Sequence, residues 1–165
     1  MTAPLRPLPL PSACPGRLYL ASMPGRYEPL ADAFEAVRRD GCTTIVCLAE
    51  MDEIARKSPD YRTALELGAA PCPVLALAIP DYGVPEEVDA FAQHVEATAA
   101  RLRAGSVELI HCAAGIGRTG LYATAVLLAL REPLAPATDA VHRAGSGAET
   151  AAQRDFLAAF ALRYV

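Results

Sequence analysis

No stretch of this sequence stays apolar long enough to cross a bilayer. The longest such run, Leu121 to Leu130, falls well short of the ~20 residues a spanning helix needs. Positive charge is not in excess either: 15 Lys and Arg face 19 Asp and Glu, for a net charge of −4. That balance excludes the basic stripe of a non-specific nucleic-acid binder. Any anion this chain holds must be attracted locally, by backbone dipoles and one or two arginines. The five cysteines, at positions 14, 42, 47, 72 and 112, contain no C-x-x-C pair. An odd count so spaced suits neither a disulfide framework nor a structural zinc site. Cys42, Cys47 and Cys72 lie in or beside apolar strands and are expected to be small buried hydrophobes. Internal repeats and charge blocks are also lacking, and 165 residues suit one domain with a substantial core.

Proline is plentiful at the amino end. Leu10-Pro-Ser-Ala-Cys14 faintly resembles a lipoprotein cleavage site, but Pro4, Pro7, Pro9 and Pro11 prevent an apolar helix of signal length. A cytoplasmic protein is expected. Residues 1–15 read as a proline-rich arm, extended or loosely attached, and residues 16–165 as the single folded domain.

Beyond the arm, strands and helices alternate. Short apolar strands are expected at 17–21, 43–48, 74–79 and 107–110, the second with the β-branched composition of a buried parallel strand. Helical spacing covers 29–40 and 86–103, and helices are expected near 118–131, 138–144 and 150–163. A polar segment running to Gly68 is broken at Ser58-Pro59. This order predicts an α/β fold, a single domain whose mostly parallel central sheet is flanked by helices on both sides. Ligands in such folds bind at the carboxyl ends of strands. Asp81 and Cys112 each follow a predicted strand and are expected to share one crevice.

The segment His111-Cys-Ala-Ala-Gly-Ile-Gly-Arg-Thr-Gly120 passes from strand to helix within a few residues. Gly115 and Gly117 are expected to reach positive φ and bend the chain around a small ligand. The backbone N–H groups of Ala113, Ala114, Gly115, Ile116, Gly117 and Arg118 then form an anion nest, reinforced by a helix amino terminus. Arg118 in the first helical turn is unfavourable beside the positive end of the dipole unless it faces a negative charge. Its fork can take two phosphate oxygens at once. At the mouth of the nest the helix terminus and Arg118 favour the Cys112 thiolate, and Thr119 can hydrogen-bond its sulfur. Two other readings are weaker. Gly115-x-Gly117-x-x-Gly120 has the letters of a dinucleotide fingerprint, but it lies in the last third of the chain, and the nearest acidic candidate, Asp139, falls in a helical stretch. A P-loop nucleotide site would need a G-K-[ST] that is absent.

His-Cys, five residues, then Arg-Thr-Gly resembles the signature of the protein tyrosine phosphatase superfamily. Upstream, Ile79-Pro-Asp-Tyr-Gly-Val-Pro85 is similar to that family's mobile general-acid loop. Downstream, Glu149-Thr-Ala-Ala-Gln153 is similar to the glutamine loop of some members. The resemblance spans about residues 17–160 and the size is that of the small dual-specificity branch.

It implies that residues 16–165 form a phosphatase catalytic domain in which Cys112 attacks phosphorus and Arg118 clamps the phosphate. Asp81 would protonate the leaving oxygen, although a Pro-Asp-x-Gly turn explains the same residue without catalysis. His111 would orient the loop, and Gln153 would either position water or, with Thr150, close a capping box. Asp52, Asp60 and Asp89 read as solvated surface, and His94 and His142 as surface or packing residues. No cofactor or metal is implied, and neither nucleic acid nor membrane is an expected partner. The substrate would be a phosphorylated protein, with phosphotyrosine favoured because Ala113, Ala114 and Ile116 add no positive charge to the loop. Tyr27 and Tyr82 are candidates to line the entrance. Phosphoserine or phosphothreonine, a small phosphorylated metabolite or a lipid stay open, as does a phosphate-recognising module without catalysis. Oligomeric state is not legible.

Overall fold

A computed structural model describes residues 5–165. Residues 1–4 of the expected proline-rich arm lie outside the described residues, and within the rest of it Arg6–Leu8 is hydrogen-bonded into the sheet. Strand β1 (Arg6–Leu8) pairs antiparallel with β2 (Arg17–Ala21), Arg6 opposite Leu20 and Leu8 opposite Leu18. Pro7 is tolerated because β1 is an edge strand, where a missing N–H faces outward at little cost.

The chain continues through α1 (Leu30–Arg39) and β3 (Thr44–Cys47), whose residues are all buried, then α2 (Met51–Lys57) and α3 (Pro59–Glu66). Pro59 opens α3 at a position whose N–H would be unpaired in any case. Strand β4 (Val74–Ala76) is shorter than the 74–79 run predicts, and half-buried, because it forms the other edge of the sheet. The chain beyond β4 still follows its neighbour, with Leu77 N donating to Cys47 O at 2.9 Å and Ile79 N to Leu48 O at 3.0 Å. Helix α4 (Val88–Arg103), β5 (Val107–His111), α5 (Gly117–Ala129), α6 (Leu134–Arg143), α7 (Ala151–Ala161) and a terminal 3-10 turn (Leu162–Tyr164) complete the chain. No described helix is long and apolar enough to cross a membrane.

The five strands lie in the order β1-β2-β5-β3-β4, parallel except at β1. Alternate residues serve opposite faces, as the two-residue period of a strand requires. Leu18, Leu20, Val46 and Ile110 pack with α4, α5, α6 and α7. Ile45, Cys47 and Leu109 face α1, α2 and α3. Helix α5 is buried along its whole length, which explains why its apolar run lacks a polar face. Register sets Ala21, His111 and Cys47 side by side at the carboxyl ends of β2, β5 and β3. The loops leaving those ends therefore share one rim.

Candidate active site

The loop after β5 wraps around the Cys112 sulfur. Gly115 N donates to Cys112 Sγ at 3.3 Å and Thr119 Oγ1 donates to it at 3.1 Å. Of the two glycines expected at positive φ, only Gly115 is there, at 77°. Gly117 has negative φ, and a Cβ on it would displace the Glu149 carboxylate that packs against it. Behind the loop, His111 is fully buried, and burial pulls its pKa from 6.5 to about 4. The neutral ring must donate from Nδ1, since the Cys112 carbonyl 2.9 Å away can only accept. Nε2 is thereby the acceptor, and Tyr61 Oη supplies its hydrogen at 2.9 Å. The expected orienting contact of His111 is present, with Tyr61 as a partner the sequence did not reveal.

Arg118 is only 2% exposed. The expectation that a bound anion would be needed to settle it there is corrected, because Glu53 on α2 grips the guanidinium from Nη1 at 2.9 Å and Nη2 at 2.8 Å. Hydrogen bonds from Arg118 hold the Glu53 carboxyl at about 2, against its burial and with help from Lys57. Nη1 also donates to the Ile79 carbonyl at 3.2 Å, and Nη2 lies 3.2 Å from Asp81 Oδ1. The Nε–H has no hydrogen-bond partner among the described residues. Nε together with Nη2, once Asp81 releases it, is the edge open to a phosphate. Glu53 gave no signal in the sequence; Met51-Asp-Glu-Ile reads as an ordinary surface turn of helix.

Asp81 sits half-exposed in a tight turn closed by Gly83 N donating to Pro80 O at 2.8 Å, with Tyr82 at φ 60°. Asp81, Cys112, Ala113, Ala114, Gly117 and Arg118 line one cavity of about 100 Å³ together with Arg26, Lys57, Tyr82 and Glu149. The crevice expected from the two strand ends therefore exists. Ile116 and Tyr27 do not line it; both face a neighbouring groove of about 440 Å³.

Gln153 is fully buried and also lies outside the cavity lining. Its N–H and the Thr150 hydroxyl complete a capping box at α7, and Oε1 accepts from Glu149 N at 2.7 Å. Nε2 donates to the Gly83 carbonyl at 3.0 Å, tying the Asp81 turn to α7. Asp52, Asp60 and Asp89 are exposed and Asp139 lies on α6, away from the cavity. Burial raises the Cys42 thiol to about 12 and the Cys47 thiol to about 11, as suits cysteines that act as hydrophobes.

A family model described as a polymorphic toxin system DSP-PTPase phosphatase matches residues 20–132. The chain is 34% identical over 104 residues, or 59% of its length, to tyrosine-protein phosphatase 1 of Caenorhabditis elegans, of which it spans only 9%. Its fold superposes with a TM-score of 0.82 on kinase associated phosphatase bearing serine for its catalytic-site cysteine, at 21% identity, covering 99% of this chain and 98% of that one. The active form of Tk-PTP gives a TM-score of 0.73 at 26% identity, covering 96% and 97% of the two chains.

Proposed function

The chain belongs to the DSP-PTPase phosphatase family described for polymorphic toxin systems, and from that premise we propose that it hydrolyses phosphate monoesters on proteins, phosphotyrosine first among them. Cys112 as thiolate attacks phosphorus in line, its P–O bond to the leaving group breaks, and Asp81 gives the departing oxygen a proton. Water then cleaves the cysteinyl-phosphate, returning the thiolate and inorganic phosphate. The inward N–H groups and Arg118 stabilise the equatorial oxygens as charge spreads over them. Thr119, donating to the sulfur, eases its departure in the second step.

The observation that carries this reading is the convergence of Cys112, Arg118 and Asp81 on one cavity of about 100 Å³. A binding module would have no use for the aspartate. Charge about the cavity supports a protein rather than a polyanionic lipid as substrate. Lys57 and Arg118 both bond Glu53, and Asp81 and Glu149 add two carboxylates to a lining whose third cation is Arg26, so little positive charge is left for a second phosphate. Phosphoserine and phosphothreonine fit the same chemistry, and the small cavity sets no deep aromatic slot that would exclude them.

Turnover of p-nitrophenyl phosphate and a phosphotyrosine peptide, without added metal, tests the proposal. Wild type should turn over both. Cys112→Ser should lose all turnover yet still bind vanadate or phosphate, because the hydroxyl does not ionise near neutral pH while the nest stays intact. Robust hydrolysis by that variant would remove the cysteine from the mechanism.

A further inference from the structure

Arg6 lies in the proline-rich segment, yet its guanidinium reaches the outer side of the phosphate loop. Nη2 donates to the Gly115 carbonyl at 2.5 Å, and Nη1 donates to the Ala144 carbonyl at 2.6 Å and to Ser146 Oγ at 3.0 Å. Ser146 Oγ gives its own hydrogen to Gly115 O at 2.6 Å. One backbone carbonyl of the loop thus accepts from a cation and a hydroxyl together. The adjoining Ile116 carbonyl is held as well, by Gly147 N at 3.1 Å and Gly120 N at 2.8 Å.

The direction of that grip matters. In a trans peptide the C=O and the following N–H point opposite ways. A Gly115 carbonyl held outward turns the Ile116 N–H inward, toward the space above the sulfur. Gly115 is also the loop residue freest to let this peptide rotate, because at its φ of 77° a residue without Cβ tolerates both the left-handed and the mirror-β values of ψ. Rotation would aim a carbonyl oxygen at the phosphate in place of a donor.

We propose that Arg6 is a positioning residue of the phosphate site, which from β1 locks the Gly115–Ile116 peptide with its N–H facing the substrate. This inference rests on the phosphatase reading above. Two further features fit it. Pairing of Arg6 with Leu20 delivers the side chain to the sheet end where the loop begins. Gly145, at φ 90°, leaves the room it needs, since a Cβ there would press on Arg6 Nη1. The guanidinium also sets a positive charge behind the loop that holds the Cys112 sulfur, where an anionic reagent must approach.

The test compares wild type, Arg6→Ala and Arg6→Lys by vanadate inhibition, by kcat/KM on p-nitrophenyl phosphate and by the pH dependence of Cys112 alkylation with iodoacetate. A wild type that neither turns over nor binds vanadate overturns the phosphatase reading itself. With an active wild type, Arg6→Ala should weaken vanadate binding and kcat/KM about 10- to 100-fold, somewhat below the ~10²–10³ lost with a whole oxyanion donor. Its alkylation by anionic iodoacetate should slow across the pH range. Arg6→Lys should restore the alkylation profile, which follows charge, but not vanadate affinity, because one ammonium cannot span the Gly115 and Ala144 carbonyls. A merely structural arginine would lower the urea midpoint and leave vanadate affinity and the alkylation profile at wild-type values, and that result overturns the proposal. If Arg6→Ala does not fold, Ser146→Ala removes the second donor from the same carbonyl. Several-fold weaker vanadate binding there supports the lock, and unchanged binding overturns it.

Discussion

A guanidinium 2% exposed must have an anion beside it, and in Arg118 that anion is the Glu53 carboxylate, held by two bonds of 2.8 and 2.9 Å. Removing one partner of such a buried pair strands the other charge, which typically costs about 3–5 kcal/mol. Glu53→Gln should therefore lower stability by roughly that amount in urea denaturation and cut kcat at least about tenfold, as Arg118 leans onto Asp81 and loses its set direction. Vanadate should raise the melting temperature of this variant more than that of wild type, because the ligand restores the missing negative charge; an equal rise would show that Glu53 does not aim Arg118. That Cys112, Arg118 and Asp81 meet at one cavity was legible in the sequence because the chemistry expected there fixes residue type within two short segments. Glu53 and Tyr61 were not, since they reach the loop from helices distant in sequence and their local patterns describe only an exposed turn and a packed ring.

Among elements, the Asp81 turn depends most on its neighbours. Tyr82 occupies left-handed backbone at φ 60°, a conformation that costs a non-glycine residue about 1–2 kcal/mol. Gln153 Nε2 on the Gly83 carbonyl helps hold it there. If Asp81 is the general acid, Asp81→Asn should slow phosphotyrosine far more than activated aryl phosphates, by about 10²–10⁴ at most. Plots of log kcat/KM against leaving-group pKa measure this, and equal slopes for variant and wild type would leave Asp81 a turn residue. Gln153→Ala should show the same selectivity in milder form, because it frees the turn that carries Asp81 without touching Cys112. The Thr150–Gln153 spacing announced the cap, but the tether to Gly83 was illegible because it joins segments that no local pattern connects. Helices α1, α4, α5 and α7 were legible to within two residues, and α6 begins at Leu134 rather than 138. Helices α2 and α3 were legible only as a polar segment because they lack a clear apolar stripe. Strand β4 was overextended because an apolar run does not say where pairing stops, and β1 was missed because prolines mask an edge strand.

For the whole molecule, the acid side of the stability curve follows from two buried groups. His111 has its pKa lowered by burial from 6.5 to about 4. Below 6.5 the unfolded chain takes up this proton, and the folded protein does not until about 4. The contribution is thus fully present above pH 6.5 and is lost as pH falls toward 4, by about 1.4 kcal/mol per pH unit at most. Glu53, lowered from 4.5 to about 2, adds stability that is complete above pH 4.5 and lost as pH falls through about 2. Urea midpoints measured from pH 7 to 4 should decline, and His111→Gln should flatten that decline. A wild-type curve level over this range would mean that His111 titrates normally. The α/β class itself was legible because strands alternating with helices admit few other packings, whereas the register that aligns Ala21, His111 and Cys47 was not, since it depends on matching buried faces across strands distant in sequence.

Strand β5 lies between β2 and β3, bonded on both sides and covered by helices on both faces. Backbone amides so enclosed exchange with deuterium only when the whole protein opens, whereas a turn at the rim exchanges through small local excursions. Protection at Leu109, Ile110 and His111 should match the global unfolding free energy, and protection at Tyr82 and Gly83 should fall far below it. Cys112 should thus hang from the slowest-exchanging segment of the chain, and Asp81 should ride on one of the fastest. On gentle warming, the ability to protonate a leaving group should fade while the thiolate still reacts with phosphorus.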